Sequence, residues 1–96
     1  MPYVKYTERA IRDLYRLHGV LAEKSMKPAG RAMQAILKGL RLLGQHPEIG
    51  RPAEGLPPEF REWVISFGSG AYIVRYHYDG QNVSVLAIRH NREEKF

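Results

Sequence analysis

Cysteine is absent from the 96 residues, which excludes a disulfide framework and any thiolate-bound metal. No apolar run approaches the roughly 20 residues that a bilayer-spanning helix needs, so no membrane segment is expected. The stretch Met1 to Lys5 lacks the positive-then-apolar layout of a signal peptide, and a cytoplasmic location is expected. A nucleotide-binding fingerprint is missing as well, because Gly68-Ser69-Gly70 links two strand-like runs instead of opening a helix. His18, His46, His77 and His90 have no ligand-like spacing with one another or with carboxylates, so neither a metal nor a cofactor is expected. Low-complexity segments and internal repeats are also lacking, and the chain is long enough for only one core; a single domain over residues 1–96 is expected.

Acidic residues are comparatively scarce. The formal net charge of +5 favours an acidic partner, either nucleic acid or an acidic protein surface. Lys and Arg outnumber Asp and Glu by 10 to 6 in residues 1–60 but only by 5 to 4 in residues 61–96. The last part of the chain is therefore a poor candidate for a strongly basic phosphate groove, and direct nucleic-acid binding stays an open question.

Tyr3 to Tyr6 is a short β-prone run, and Thr7 offers a hydroxyl to cap the helix that follows. From Glu8 to about Glu23, Ile11, Leu14, Leu17 and Leu21 recur at helical spacing, with Arg9, Arg12, Asp13 and Arg16 on other faces as a solvated side. Ser25 to Lys27 interrupts this pattern, and Pro28 suits the first turn of a second helix. Met33, Ile36, Leu37, Leu40 and Leu43 mark the apolar stripe of that helix until Gly44 and Pro47 end it. So short a break predicts an antiparallel helical hairpin.

Four prolines and two glycines between Gln45 and Glu59 predict a stiff, largely irregular loop. Three strands follow: Arg61 to Phe67, Ala71 to Asp79 and Val83 to Arg89, joined at Gly68-Ser69-Gly70 and Asp79-Gly80. In the last strand both alternating sets are apolar, as expected of a central strand. With a two-residue loop at Asp79-Gly80, Arg75 would pair with Ser84 and share a face with Ile73, Leu86 and Ile88. Tyr72, Tyr76 and Tyr78 alternate along one strand, the pattern of sheet packing before that of base stacking. The expected fold is α+β, β-α-α-β-β-β, with a helical hairpin packed on a mainly antiparallel sheet.

The last strand runs into Arg89-His90-Asn91-Arg92-Glu93. An arginine fork suits carboxylate or phosphate, and an imidazole can move a proton near neutral pH. The same residues also compensate one another as an ordinary charged tail.

The element order, together with Gly50-Arg51-Pro52, Arg61-Glu62-Trp63-Val64-Ile65, Tyr72-Ile73-Val74-Arg75-Tyr76, Asp79-Gly80 and Ile88-Arg89-His90-Asn91-Arg92-Glu93, resembles the RelE/ParE family of type II toxins, and most closely its ParE branch. RelE-like members cut mRNA in the ribosome with basic residues on the second and third strands and an arginine and a tyrosine near the C-terminus. Aligned through Tyr72 and Tyr76, the basic positions fall on Val64, Ser66 and Ile73 and the aromatic one on Phe96, none of which carries the required charge or hydroxyl. The resemblance therefore implies a ParE-like toxin that poisons DNA gyrase by binding, as in plasmid-maintenance modules, with Arg61, Arg75, Arg89, His90, Arg92 and Glu93 as contact residues and no catalytic ones. It further implies a cognate antitoxin that folds on this chain. The alternative it leaves open is an mRNA endonuclease with His90 as general base and Arg89 or Arg92 as phosphate clamp.

Overall fold

In the computed structural model, residues 3–23, 26–93 and 96 are described. Strand β1 (Tyr3–Tyr6) leads into helix α1 (Glu8–Ala22) and then α2 (Met26–Gln45), followed by β2 (Arg51–Pro52), β3 (Phe60–Phe67), β4 (Gly70–Tyr78) and β5 (Asn82–His90). The strands form one sheet in the order β1-β5-β4-β3-β2, in which β1 runs parallel to β5 and the other pairings are antiparallel. No described helix is long and apolar enough to cross a membrane.

Thr7 performs two tasks where β1 becomes α1. Its hydroxyl accepts the Ala10 N–H at 3.1 Å, closing the first helical turn, and donates to the Leu86 carbonyl at 2.9 Å. The helices then lie on one face of the sheet. Leu17 of α1 and Ala32, Ile36, Leu40 and Leu43 of α2 pack against Ile65, Tyr72, Val74, Tyr76, Val83, Val85 and Ile88. The buried rows are shifted around each helix from the predicted stripes, since Ile11 and Leu37 are 45% and 42% exposed while Ala10, Ala29 and Ala32 are buried. Alanines let the helices approach closely, so the larger side chains beside them turn outward. Ser25, in the predicted break, lies outside the described residues.

Two features of the sheet differ from expectation. Within the proline-rich loop, Arg51 and Pro52 form β2, paired with Glu62 and Arg61; a proline at a sheet edge costs no ladder bond when its nitrogen faces outward. The β4–β5 register is also longer-looped than a two-residue turn allows. Tyr78 pairs with Val83, His77 with Ser84 and Arg75 with Ala87, with a bulge that leaves Leu86 unmatched. Arg75 thus shares its face with Ile73, Ala87 and Arg89, and Ile88 turns into the core.

The loop is built by Asp79, whose carboxylate accepts the N–H groups of Asn82 at 2.7 Å and Gln81 at 2.8 Å. Those bonds, Asn82 foremost, hold its carboxyl below the ordinary 3.8. A folded-state value depressed in this way contributes stability above 3.8 that is lost as pH falls through the lower folded value. In Asp79→Asn the amide oxygen still accepts these bonds, so the turn is expected to persist while thermal melting between neutral and strongly acid pH becomes flatter than in the unaltered chain.

Candidate functional site

Where β1 ends, β5 loses its neighbouring strand, and side chains of α1 take over. The Ile88 N–H donates to the Asp13 carboxylate at 2.9 Å, and Arg16 donates to the Ile88 carbonyl at 3.2 Å. One step further, the His90 N–H donates to the Glu93 carboxylate at 2.8 Å, while the other Glu93 oxygen accepts from Arg16. Asp13 and Arg16 are thus not a solvated face: they complete the ladder of a strand that would otherwise leave buried backbone groups without partners. Sequence periodicity hid this role, because a polar residue on an amphipathic helix looks the same whether it faces water or a strand edge.

His90 is positioned from both sides. Its ring meets Tyr72 edge-on at 5.2 Å between centroids, and its Nδ1 accepts the Arg92 N–H at 3.2 Å. Gly70 supplies the space beside it, since a Cβ there would stand 2.7 Å from His90 Nε2. Gly70→Ala is expected to keep the fold but push the imidazole off Tyr72, at a cost of about 1 kcal/mol, the low end for an added methyl group. The His90 ring resonances in an NMR spectrum should move, and their constancy would show that the ring does not depend on this space.

On the helix side of the sheet, His90, Arg92 and Glu93 converge with Arg16, Tyr72 and an apolar wall from α1 around a cleft of about 250 Å³. Arg16 is held by Glu93 and, at 3.3 Å, by Asp13, and Arg92 is the cleft's cation without an ion pair among the described residues. Burial, and then the Glu93 charge, push the Tyr72 phenol above its ordinary value, so it stays neutral near pH 7.

Arg89 lies elsewhere. It pairs across the sheet with Ile73, on the face away from the helices, whereas His90 pairs with Tyr72 on the helix face. There Arg89 donates to the Glu93 carbonyl at 2.7 Å and lies over the Phe96 ring at 5.0 Å. Arg75 lies over the same ring at 4.4 Å and donates to Glu62 at 2.8 Å. Arg61 is separate from both groups: it donates to the Gly50 carbonyl at 2.8 Å and the Glu48 carbonyl at 3.3 Å, tying down the proline-rich loop. It pairs with Tyr76, four residues along β4 from Tyr72, which is about 13 Å away at strand rise.

The six predicted contact residues therefore separate into three places: His90, Arg92 and Glu93 at the cleft, Arg75 and Arg89 on the open sheet face, and Arg61 at the loop. Sequence reading missed Asp13 and Arg16 as the partners of β5, Glu62 as the partner of Arg75, and Phe96 as the ring that joins Arg75 to Arg89. For Glu62 and Arg75 a signal existed, since they face each other across a two-residue turn.

Such a two-helix layer over a five-stranded sheet defines a small α+β toxin fold, and the comparisons agree. The model of the ParE toxin of type II toxin–antitoxin systems (parDE) matches residues 4–95. The chain belongs to this family. Toxin RelE3 of Caulobacter vibrioides is 33% identical over 95 residues, covering 99% of this chain and 100% of that protein. Toxin RelE1 of the same organism is 36% identical over 87 residues, covering 91% of this chain and 90% of that protein. Among solved structures, a chain of the chromosomal ParDE system from P. aeruginosa matches with a TM-score of 0.73 at 20% identity, covering 94% of this chain and 96% of that one. A chain of the RelBE2 toxin–antitoxin complex from Mycobacterium tuberculosis matches with a TM-score of 0.66 at 23% identity, covering 95% and 100%. The two structural likenesses bear on the fold, which they share with this chain.

Proposed function

We propose that this chain, as a type II toxin, acts by binding DNA gyrase and stabilising it on cleaved DNA, and that a cognate antitoxin neutralises it. The observation that carries this reading is the separation of Arg89 from His90 on opposite faces of the sheet. A phosphate clamp and a general base must converge on one phosphodiester, within hydrogen-bond reach of the reacting atoms. The pairing of Arg16 supports the same reading, since Asp13 and Glu93 offset its guanidinium and leave Arg92 as the cleft's cation without an ion pair among the described residues. A cleaving site needs uncompensated positive charge where the transition state gains negative charge. Val64, Ser66 and Ile73, at the positions where the resemblance places the basic residues of RNA-cutting members, supply none.

Under this reading His90, Arg92, Glu93 and Arg89 are contact residues at the end of β5, and Arg61 and Arg75 contribute through the surfaces they shape. Expression in a bacterial host is expected to arrest growth with chromosomal breaks trapped on gyrase, and co-expression of the neighbouring reading frame to restore growth. Unimpaired growth at full expression would remove the reading.

A second reading, ribosome-dependent mRNA cleavage, is favoured by the convergence of His90 and Arg92 on one cleft and by the relatives named RelE3 and RelE1. Sequencing mRNA 5′ ends after brief expression separates the two. Discrete cuts within translated codons belong to the second reading, and their absence to the first.

A further inference from the structure

Helix α2 carries Lys27, Arg31, Lys38 and Arg41 and neither Asp nor Glu. Of the chain's 15 Lys and Arg, these four leave 11 against 10 Asp and Glu, so α2 holds nearly all of the net charge of +5. At about 100° per residue, Lys27, Arg31, Gln34, Lys38, Arg41 and Gln45 fall within an arc of about 80°. All six are exposed. Ala29, Ala32, Ile36, Leu40 and Leu43, half a turn away, are the buried row. The cations therefore form a straight ridge on the side of α2 opposite the core, about 21 Å long at helical rise.

This ridge is not an ordinary solvated face. Among the described residues none of its four cations forms an ion pair, whereas Arg9, Arg12 and Arg16 of α1 are matched by Asp13, Glu8 and Glu93. Lys27 and Arg31 stand at i, i+4 and Lys38 and Arg41 at i, i+3, spacings at which like charges repel and weaken a helix. The row thus works against the stability of α2, and a polyanion laid along it would relieve the repulsion.

Two features select the polyanion. No apolar residue falls within the arc, so the ridge lacks the aromatic or aliphatic centre around which a protein interface is built. Its neutral members, Gln34 and Gln45, carry amides that donate to phosphate oxygens as readily as to any other acceptor. A duplex presents one charge per about 1.7 Å of axis, so each cation on the ridge meets a phosphate without any particular sequence or register.

We infer that the outer face of α2, through Lys27, Arg31, Lys38 and Arg41, binds the phosphate backbone of duplex DNA without reading its sequence. The setting rests on the gyrase reading above, in which the toxin meets an enzyme that carries duplex DNA. The α2 ridge would then hold the DNA flanking the break while the end of β5 holds the enzyme, so that the chain grips both parts of the complex it stabilises.

The test is the anisotropy of a fluorescent DNA duplex of arbitrary sequence, titrated with the purified chain. Four phosphate contacts give a logarithmic salt slope of about −3.6, so affinity is expected to fall about a hundredfold between about 50 mM and 200 mM salt. Lys38→Gln combined with Arg41→Gln is expected to weaken binding about tenfold or more at the lower salt and to reduce the slope by about two. Lys27→Gln combined with Arg31→Gln, at the other end of the row, should do the same. Arg9→Gln combined with Arg12→Gln removes equal charge from α1 and should change affinity less than about threefold, because charges away from the contact are screened. Thermal melting checks that each variant is folded. Equal loss in all three pairs would make net charge the cause and overturn the α2 contact. Absence of binding at the lower salt, tighter binding of single-stranded RNA, or binding of polyglutamate in place of DNA would each overturn it as well. Gyrase-dependent cleavage by the same preparations keeps the two readings apart. Trapped breaks without duplex binding overturn the α2 contact and spare the gyrase reading, whereas duplex binding through α2 without trapped breaks removes gyrase and keeps the contact.

Discussion

Tyr76→Ala is expected to leave the chain largely unfolded at 37 °C. Tyr76 is fully buried in the middle of β4, and truncating a buried aromatic ring costs about 3–5 kcal/mol through lost transfer energy and the cavity left behind. Its hydroxyl adds to this, donating to the Pro47 carbonyl at 2.7 Å and accepting the Gly50 N–H at 3.0 Å. One side chain thus fastens the proline-rich loop to the core, and a domain with a total stability of about 5–15 kcal/mol has little margin for its loss. Tyr76→Phe isolates the polar part: the ring remains, two loop groups lose their partner, and the cost should be about 1–3 kcal/mol. Urea unfolding followed by circular dichroism measures both. Equal destabilisation by Phe and Ala would mean that the hydroxyl carries the whole effect, and near-native stability of Tyr76→Ala would contradict the packing described above.

Asp13→Ala is expected to destabilise the chain by about 1–3 kcal/mol, more than its place on the exterior of a helix suggests. Its carboxylate accepts the Ile88 N–H and holds Arg16, which in turn reaches the Ile88 carbonyl and Glu93. Removing it strands a part-buried backbone donor, the costly side of the hydrogen-bond balance. Asp13→Asn keeps an acceptor for Ile88 but loses the charge that holds Arg16, so most of the stability should return. The consequence extends to the cleft, because Arg16 and Glu93 form its rim. Hydrogen exchange at Ile88 and His90 in the two variants separates the effects: Asp13→Ala should release the Ile88 amide, and Asp13→Asn should not.

These residues also mark the limit of what the sequence discloses. The order of elements was legible because each carries its own signal: Thr7 before a helical period, Pro28 inside the first turn of α2, alternating apolar residues between glycine-bearing turns in β3 to β5. The central place of β5 was legible too, from apolar residues on both of its faces. That same two-sided pattern hid the register beyond Ser84, because the consecutive residues Leu86, Ala87 and Ile88 offer an apolar side chain to either face. The bulge at Leu86 was therefore invisible, and with it the true face of Ile88. The candidate site was legible only as a cluster along the chain. Alternation along β5 divides Arg89 from His90, and contacts across 72 to 77 positions bring Arg16 to Ile88 and Glu93. The meeting of Arg75 and Arg89 at Phe96 likewise depends on geometry that no local pattern encodes.

If this toxin grips DNA gyrase, as proposed, and does not cut RNA, the supercoiling of relaxed plasmid by purified gyrase reports it. With the chain added in excess, supercoiling should fall and linear, gyrase-bound DNA should accumulate. Arg92→Ala should need several-fold more protein for the same effect, about what one contact charge contributes to binding. Full supercoiling with no trapped breaks at saturating chain would rule out gyrase as the target.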